Sequence, residues 1–175
     1  MACGYDIEVF SAFNLDTKEH HIFGIHENIF DDDGINQITA DSKPHPDAPS
    51  QSQILQTAID NPQLTLALSD FREAIRQPSF SVFHGYRAIE SLRYAAPQGI
   101  RQVEKQWEWL LSSLKIKKST KDKLLRMGGG EQRHGKISPS SWGDRKFAMQ
   151  IAWQAIQRFV YFHQDRAKLD NCSEI

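Results

Sequence analysis

The stretch S141-WGDRKFAMQIAWQAIQRFVYFHQDRAKL-169 decides how this chain folds. Ser141 with Asp144 three residues on is a helix-start signal, because the hydroxyl and the carboxylate can each accept from the other residue's backbone N–H. Ala148, Ile151, Ala155, Phe159 and Phe162 then follow at spacings of three, four, four and three, which stacks them on one helical face. The pattern predicts a helix that continues to about Leu169, on the order of 40 Å long at 1.5 Å per residue. An apolar face of that length needs other helices to cover it.

The preceding segments supply them. Ile100, Val103, Trp107, Leu110 and Leu114 form a second stripe, and Phe83, Tyr86, Ile89 and Leu92 a third that ends before Pro97. Leu64, Leu68, Phe71 and Ile75 make a fourth, bounded by Pro62 and Pro78. Ile54, Leu55, Ala58 and Ile59 form a shorter one that stops at Asn61 and Pro62. Ser119 and Asp122 read as the start of a short basic helix with Leu124, Leu125 and Met127, closed by Gly128. Together these predict an antiparallel bundle of four to five helices over 51–175.

Residues 1–50 read differently. Ile7, Val9, Ser11 and Phe13 alternate with Asp6, Glu8, Phe10 and Ala12, the period of a strand, and "HHIFGIHENIF" from His20 is a candidate return strand. "DSKPHPDAPSQS", residues 41–52, has three prolines and reads as a linker. The expected fold class is therefore mainly α, with a small acidic N-terminal β hairpin or sheet.

At 175 residues and 39% hydrophobic content the chain is of ordinary globular composition. No apolar run has the length of a membrane span, and the start has neither the cationic nor the long apolar part of a secretory signal, so a cytoplasmic location is expected. Cys3 and Cys172 are the only cysteines and are expected as free thiols.

Charge is distributed unevenly. Residues 1–60 hold eleven Asp/Glu against two Lys, a net of −9, while 61–175 hold nineteen Lys/Arg against eleven Asp/Glu, a net of +8. The steepest part is 115–136, where Lys115, Lys117, Lys118, Lys121, Lys123, Arg126, Arg133 and Lys136 face only Asp122 and Glu131. Such a field attracts phosphate or an acidic protein surface, and a solvated helix flank is the bland reading. The acidic N-terminal region is a candidate for docking on this face or on a partner protein.

Within the basic segment lies "GGGEQRHGK", 128–136. Gly130 to Lys136 nearly matches a phosphate loop, but position 137 is Ile where a magnesium-binding Ser or Thr is needed, and an apolar strand does not precede it. His20, His21 and His26 could be gathered with neighbouring carboxylates into a metal site only by ignoring their split between two strand faces, so neither metal nor cofactor is expected. Arg133 and His134 carry more chemistry. An imidazole can move a proton from a ribose 2'-hydroxyl near neutral pH, and a guanidinium can stabilise the charge that builds on the phosphate.

"YRAIESLR" (Tyr86–Arg93), a helix with Trp107 and Trp109, a short basic helix, "RHG" and a long final helix occur in that order, and this order resembles the bacterial HEPN-like proteins from about Leu64 to Leu169. The resemblance implies a helical bundle, frequent homodimers and, in active members, metal-independent cleavage of RNA by an Arg and a His from each subunit. Carried over, it points to His134 with Arg133 or Arg126 as the catalytic set. It leaves Lys115, Lys117, Lys118, Lys121, Lys123 and Lys136 to the RNA backbone, and Arg87 with Glu90 as supporting residues. The spacing departs from the family's Arg, four to six residues, then His: seven residues separate Arg126 from His134, and Arg133 adjoins it. A non-catalytic interaction module is the alternative reading.

Overall fold

The computed structural model describes residues 11–13, 20–22, 48–129 and 140–175, the side chains of 11–13, 20–22 and 128–129 excepted. Seven α-helices are described: α1 (Gln51–Asp60), α2 (Pro62–Arg76), α3 (Ser81–Arg93), α4 (Val103–Ser113), α5 (Lys118–Leu124), α6 (Trp142–Gln164) and α7 (Arg166–Asn171). A π-type turn, Leu125–Gly129, extends α5.

The expected N-terminal β hairpin or sheet does not stand as part of the fold class. Among the described residues the core is assembled from helices and their connecting turns. Extended pairing among the described residues is confined to three on each side, Ser11–Phe13 against His20–Ile22. A ribbon that short is marginal in water and builds no sheet layer. The rest of the alternating runs expected around it, with Cys3, His26 and the neighbouring carboxylates, lies outside the described residues, as do the side chains of His20 and His21.

Local chemistry explains the helix limits. Ser50 Oγ accepts from the Gln53 N–H at 3.2 Å while Gln53 Oε1 accepts from the Ser50 N–H at 2.8 Å, so α1 starts on a reciprocal cap at the end of the expected linker. Pro62 occupies the first turn of α2, where its missing N–H costs nothing. The expected Ser141–Asp144 box is present at the start of α6. The expected Ser119 start is not: α5 begins at Lys118 behind Lys117, without a side-chain cap.

Two expectations about the final helix need correction. α6 ends at Gln164, because Asp165 turns out of the helical region and its carboxylate caps the Lys168 N–H at 3.2 Å to begin α7. The predicted 40 Å rod is thus about 35 Å long. Burial also exceeds one stripe: Met149, Ala152, Ile156 and Val160 are enclosed along with Ala148, Ile151, Ala155 and Phe159. α6 is the central helix, with α1, α2, α3 and α7 packed around it.

α3 packs against both α2 and α6. At its closest approach Gly85 faces Ala148 of α6, and a Cβ built on that glycine would stand 3.1 Å from the Ala148 carbonyl oxygen and 3.3 Å from its Cβ. Phe71 of α2 stacks on Trp153 at 5.4 Å, and Trp109 of α4 meets Phe162 edge-on at 5.9 Å. Gln164 Nε2 donates to Gln53 O (3.0 Å) and Thr57 Oγ1 (2.7 Å), pinning α1 to the end of α6.

A buried arginine closes the other side. Arg158 Nη1 donates to the carbonyls of Leu114 (3.0 Å) and Lys115 (2.8 Å), and Nη2 to that of Ser173 (2.7 Å). Burial holds its pKa below the usual arginine range. Lys115 sits in the left-handed region with φ 52°, and its Nζ donates to the Asp170 carbonyl at 2.6 Å. The turn between α4 and α5 is thereby tied to the end of the described chain.

Two outcomes follow. Gly85→Val should lower the unfolding free energy by about 1–3 kcal/mol through overpacking against α6. Gly85→Ala should cost less, since the gain in helix propensity of about 1 kcal/mol offsets part of the clash; urea midpoints at unchanged slope check both. His163, packed on Phe159 and Phe162 at 4.6 and 5.2 Å, has its pKa lowered from 6.5 by burial, although its outer edge stays exposed. The unfolded chain therefore binds the proton more readily. Stability attributable to this group should be complete above about pH 6.5 and lost as pH falls through the folded value. Urea midpoints across pH 5–8 should show that slope, and His163→Gln should flatten it.

Candidate nucleic-acid interface

The cationic segment is placed by α4, α5 and the π-type turn. Leu114 and Ile116 are buried ahead of α5, and Leu124 is buried near its end. With these residues turned inward, the intervening lysines fall on or near the surface. α5 and the π-type turn both pack against α3.

Individual cations differ in how available they are. Lys117, Lys118, Lys123 and Arg126 are exposed. Lys123 Nζ also stands 3.9 Å from the centre of the Phe147 ring, which orients it without removing it from water. Lys121 pairs with Asp122 at 3.1 Å and lies 5.4 Å from the Trp107 ring, so part of its charge is already answered. Lys115 is committed to the carbonyls of Asp170 and Cys172. It is a fastening of the turn, and its ammonium is not free for a phosphate. Arg133, His134 and Lys136 lie outside the described residues, so of the three expected catalytic side chains only Arg126 has a described position.

Arg87 has a partner that the spacing on α3 did not suggest, whereas Glu90 meets a residue three positions on in the same helix. Arg87 Nε lies 3.4 Å from Asp70 Oδ1 of α2, and Glu90 lies 3.8 Å from Arg93 Nη2. Asp70 is buried, and His84 Nδ1 approaches the same oxygen at 3.4 Å, while the Ser91 hydroxyl donates to Oδ2 at 3.5 Å. These contacts are long for hydrogen bonds, so attraction among charged and polar groups, more than directed bonding, holds the cluster. His84, Arg87 and Ser91 share one face of α3, spaced three and four apart, which was legible. Their carboxylate was not, because Asp70 comes from another helix and stands between Ala67 and Ala74 on the buried side of α2. The arrangement clamps α2 to α3 and leaves Arg87 half exposed beside Phe83, whose ring centre lies 5.5 Å from the guanidinium.

The chain belongs to the family whose model is described as "Domain of unknown function (DUF8168) C-terminal domain", which matches residues 51–164. The match begins at the first residue of α1 and ends at the last of α6. No curated protein and no solved structure matches the chain. Among the described residues, no helix is long and apolar enough to cross a membrane.

Removing the shared carboxylate should affect stability more than removing the exposed cation. Asp70→Ala leaves His84 and Arg87 facing each other without an anion and should cost about 1–3 kcal/mol. Arg87→Ala, at a half-exposed ion pair, should cost less than about 1 kcal/mol. Chemical denaturation of both variants and the double variant checks this, and equal losses for the two single changes would contradict a buried anchoring role for Asp70.

Proposed function

We propose that this chain is a HEPN-like, nucleic-acid-directed helical protein of the cytoplasm. In this reading it acts as a homodimer and cleaves RNA without a metal through His134 with Arg133 or Arg126. The observation that supports it best is the row of exposed cations, Lys117, Lys118, Lys123 and Arg126, on the helix and turn that lead into the Arg133–His134 segment. Cations set along one short helix can track a phosphate backbone without reading its sequence. The imidazole would then remove the proton from a 2'-hydroxyl, so that its oxygen attacks the adjacent phosphorus and the 5'-oxygen leaves with a proton. The products are a 2',3'-cyclic phosphate and a 5'-hydroxyl. A guanidinium nearby would stabilise the added negative charge as the new bond forms.

A second reading, a non-catalytic interaction module, has its own support. Leu55 and Ile59 on α1 are 64% and 75% exposed, and Leu66 on α2 is 57% exposed. Exposed apolar side chains on two helices that pack together favour contact with another protein surface. The two readings differ in what salt and His134 do.

Affinity for single-stranded RNA should fall linearly on a log–log plot against salt, with each phosphate-contacting lysine contributing about 0.7 to the slope. Replacing Lys117, Lys118, Lys123 and Arg126 by Gln should therefore flatten the slope by roughly 3. Cleavage should persist in EDTA, yield cyclic phosphate ends, and disappear in His134→Ala. A parent protein that neither binds nor cuts RNA at low salt would leave the interaction module standing.

A further inference from the structure

Tyr94 closes α3 and is 58% exposed, the most exposed aromatic residue among the large exposed apolar groups. An exposed tyrosine alone means little, since single apolar groups are common on protein surfaces. Its backing sets this one apart. The guanidinium of Arg93 lies 4.6 Å from the Tyr94 ring centre and 5.4 Å from that of Trp107. Arg93 is only 4% exposed, and its Nε has no hydrogen-bond partner among the described residues. The cation lies between two aromatic rings, with Glu90 3.8 Å from Nη2. Trp107 is itself buried, packed at 5.9 Å against Tyr86, and carries Lys121 Nζ at 5.4 Å from its ring.

We propose that Tyr94 is a stacking platform for an unpaired RNA base, backed by Arg93 and linked through Trp107 to Lys121 of the cationic segment. The proposal rests on the nucleic-acid reading above and narrows its ligand to single-stranded RNA. A base needs a flat π-surface open to solvent, and Tyr94 offers one. The buried guanidinium against the ring restricts its motion, so less ordering is needed when a base settles on it. The relay Tyr94, Arg93, Trp107, Lys121 runs in steps of 4.6, 5.4 and 5.4 Å from the platform into the cationic segment. A base on Tyr94 and its neighbouring phosphates near α5 could therefore belong to one strand. A duplex keeps its bases stacked inside and has none to place on the ring. The cationic segment at the far end of this relay favours a nucleotide over an apolar peptide, which would gain nothing from it.

The test uses the full chain in a His134→Ala background, so that the strand stays intact, with a labelled oligouridylate and a blunt RNA duplex followed by fluorescence anisotropy. Tyr94→Ala should weaken oligouridylate binding about 5- to 150-fold, the range for loss of one stacked base. Duplex affinity and the salt slope should be unchanged, and Tyr94→Phe should bind like the parent. Unchanged oligouridylate affinity in Tyr94→Ala would overturn the platform while leaving the nucleic-acid reading intact. So would an equal loss on strand and duplex, which signals a general change at the surface. Absence of binding to either RNA by the Tyr94-containing protein would overturn both.

Discussion

The close approach of α3 to α6 at Gly85 is the constraint on which the remaining geometry depends. A residue without a side chain lets the α3 backbone approach the Ala148 carbonyl so closely that even a methyl group would force a small shift. From that crossing, α3 extends outward to Arg87 on one side and to Arg93 and Tyr94 at its end. The same helix meets α5 and the π-type turn, so a shift at the crossing would move the aromatic platform relative to the lysines. Interiors at native density transmit such displacements, because no slack absorbs them.

Much of the helical fold was legible from apolar spacing. The stripes beginning at Leu64, Phe83 and Ala148 lie on α2, α3 and α6, and the Ser141–Asp144 pair marks the start of α6 where expected. Periodicity reports a buried face, however, and cannot report that a helix is covered from several sides. Met149, Ala152, Ile156 and Val160 were therefore missed, although small alanines among large apolar residues are what a central helix needs. Asp165 was missed for another reason. A carboxylate can sit in a helix or cap the next one, and only the turn at that residue decides between them.

The site was less legible because its partners come from distant parts of the chain. Counting lysines treats every cation as equally available, yet Lys115 spends its ammonium on carbonyls more than fifty residues away, and Lys121 faces Asp122 and Trp107. Arg87 and Glu90 share a helical side and invited pairing, whereas the described contacts lead to Asp70 and Arg93. A sequence shows which groups could meet locally. It does not show which distant carboxylate or ring has already claimed them.

The guanidinium of Arg158 has a consequence beyond holding backbone segments together. It donates to neutral carbonyls, two of them at Leu114 and Lys115, directly before the cationic helix. A positive charge set in the interior is screened by dissolved ions far less than one on the surface. The outer lysines lose their reach as electrolyte concentration rises, while this inner charge keeps acting through the protein itself. The molecule thus carries, at the turn that leads into α5, a positive charge that added salt screens less than it screens the outer lysines.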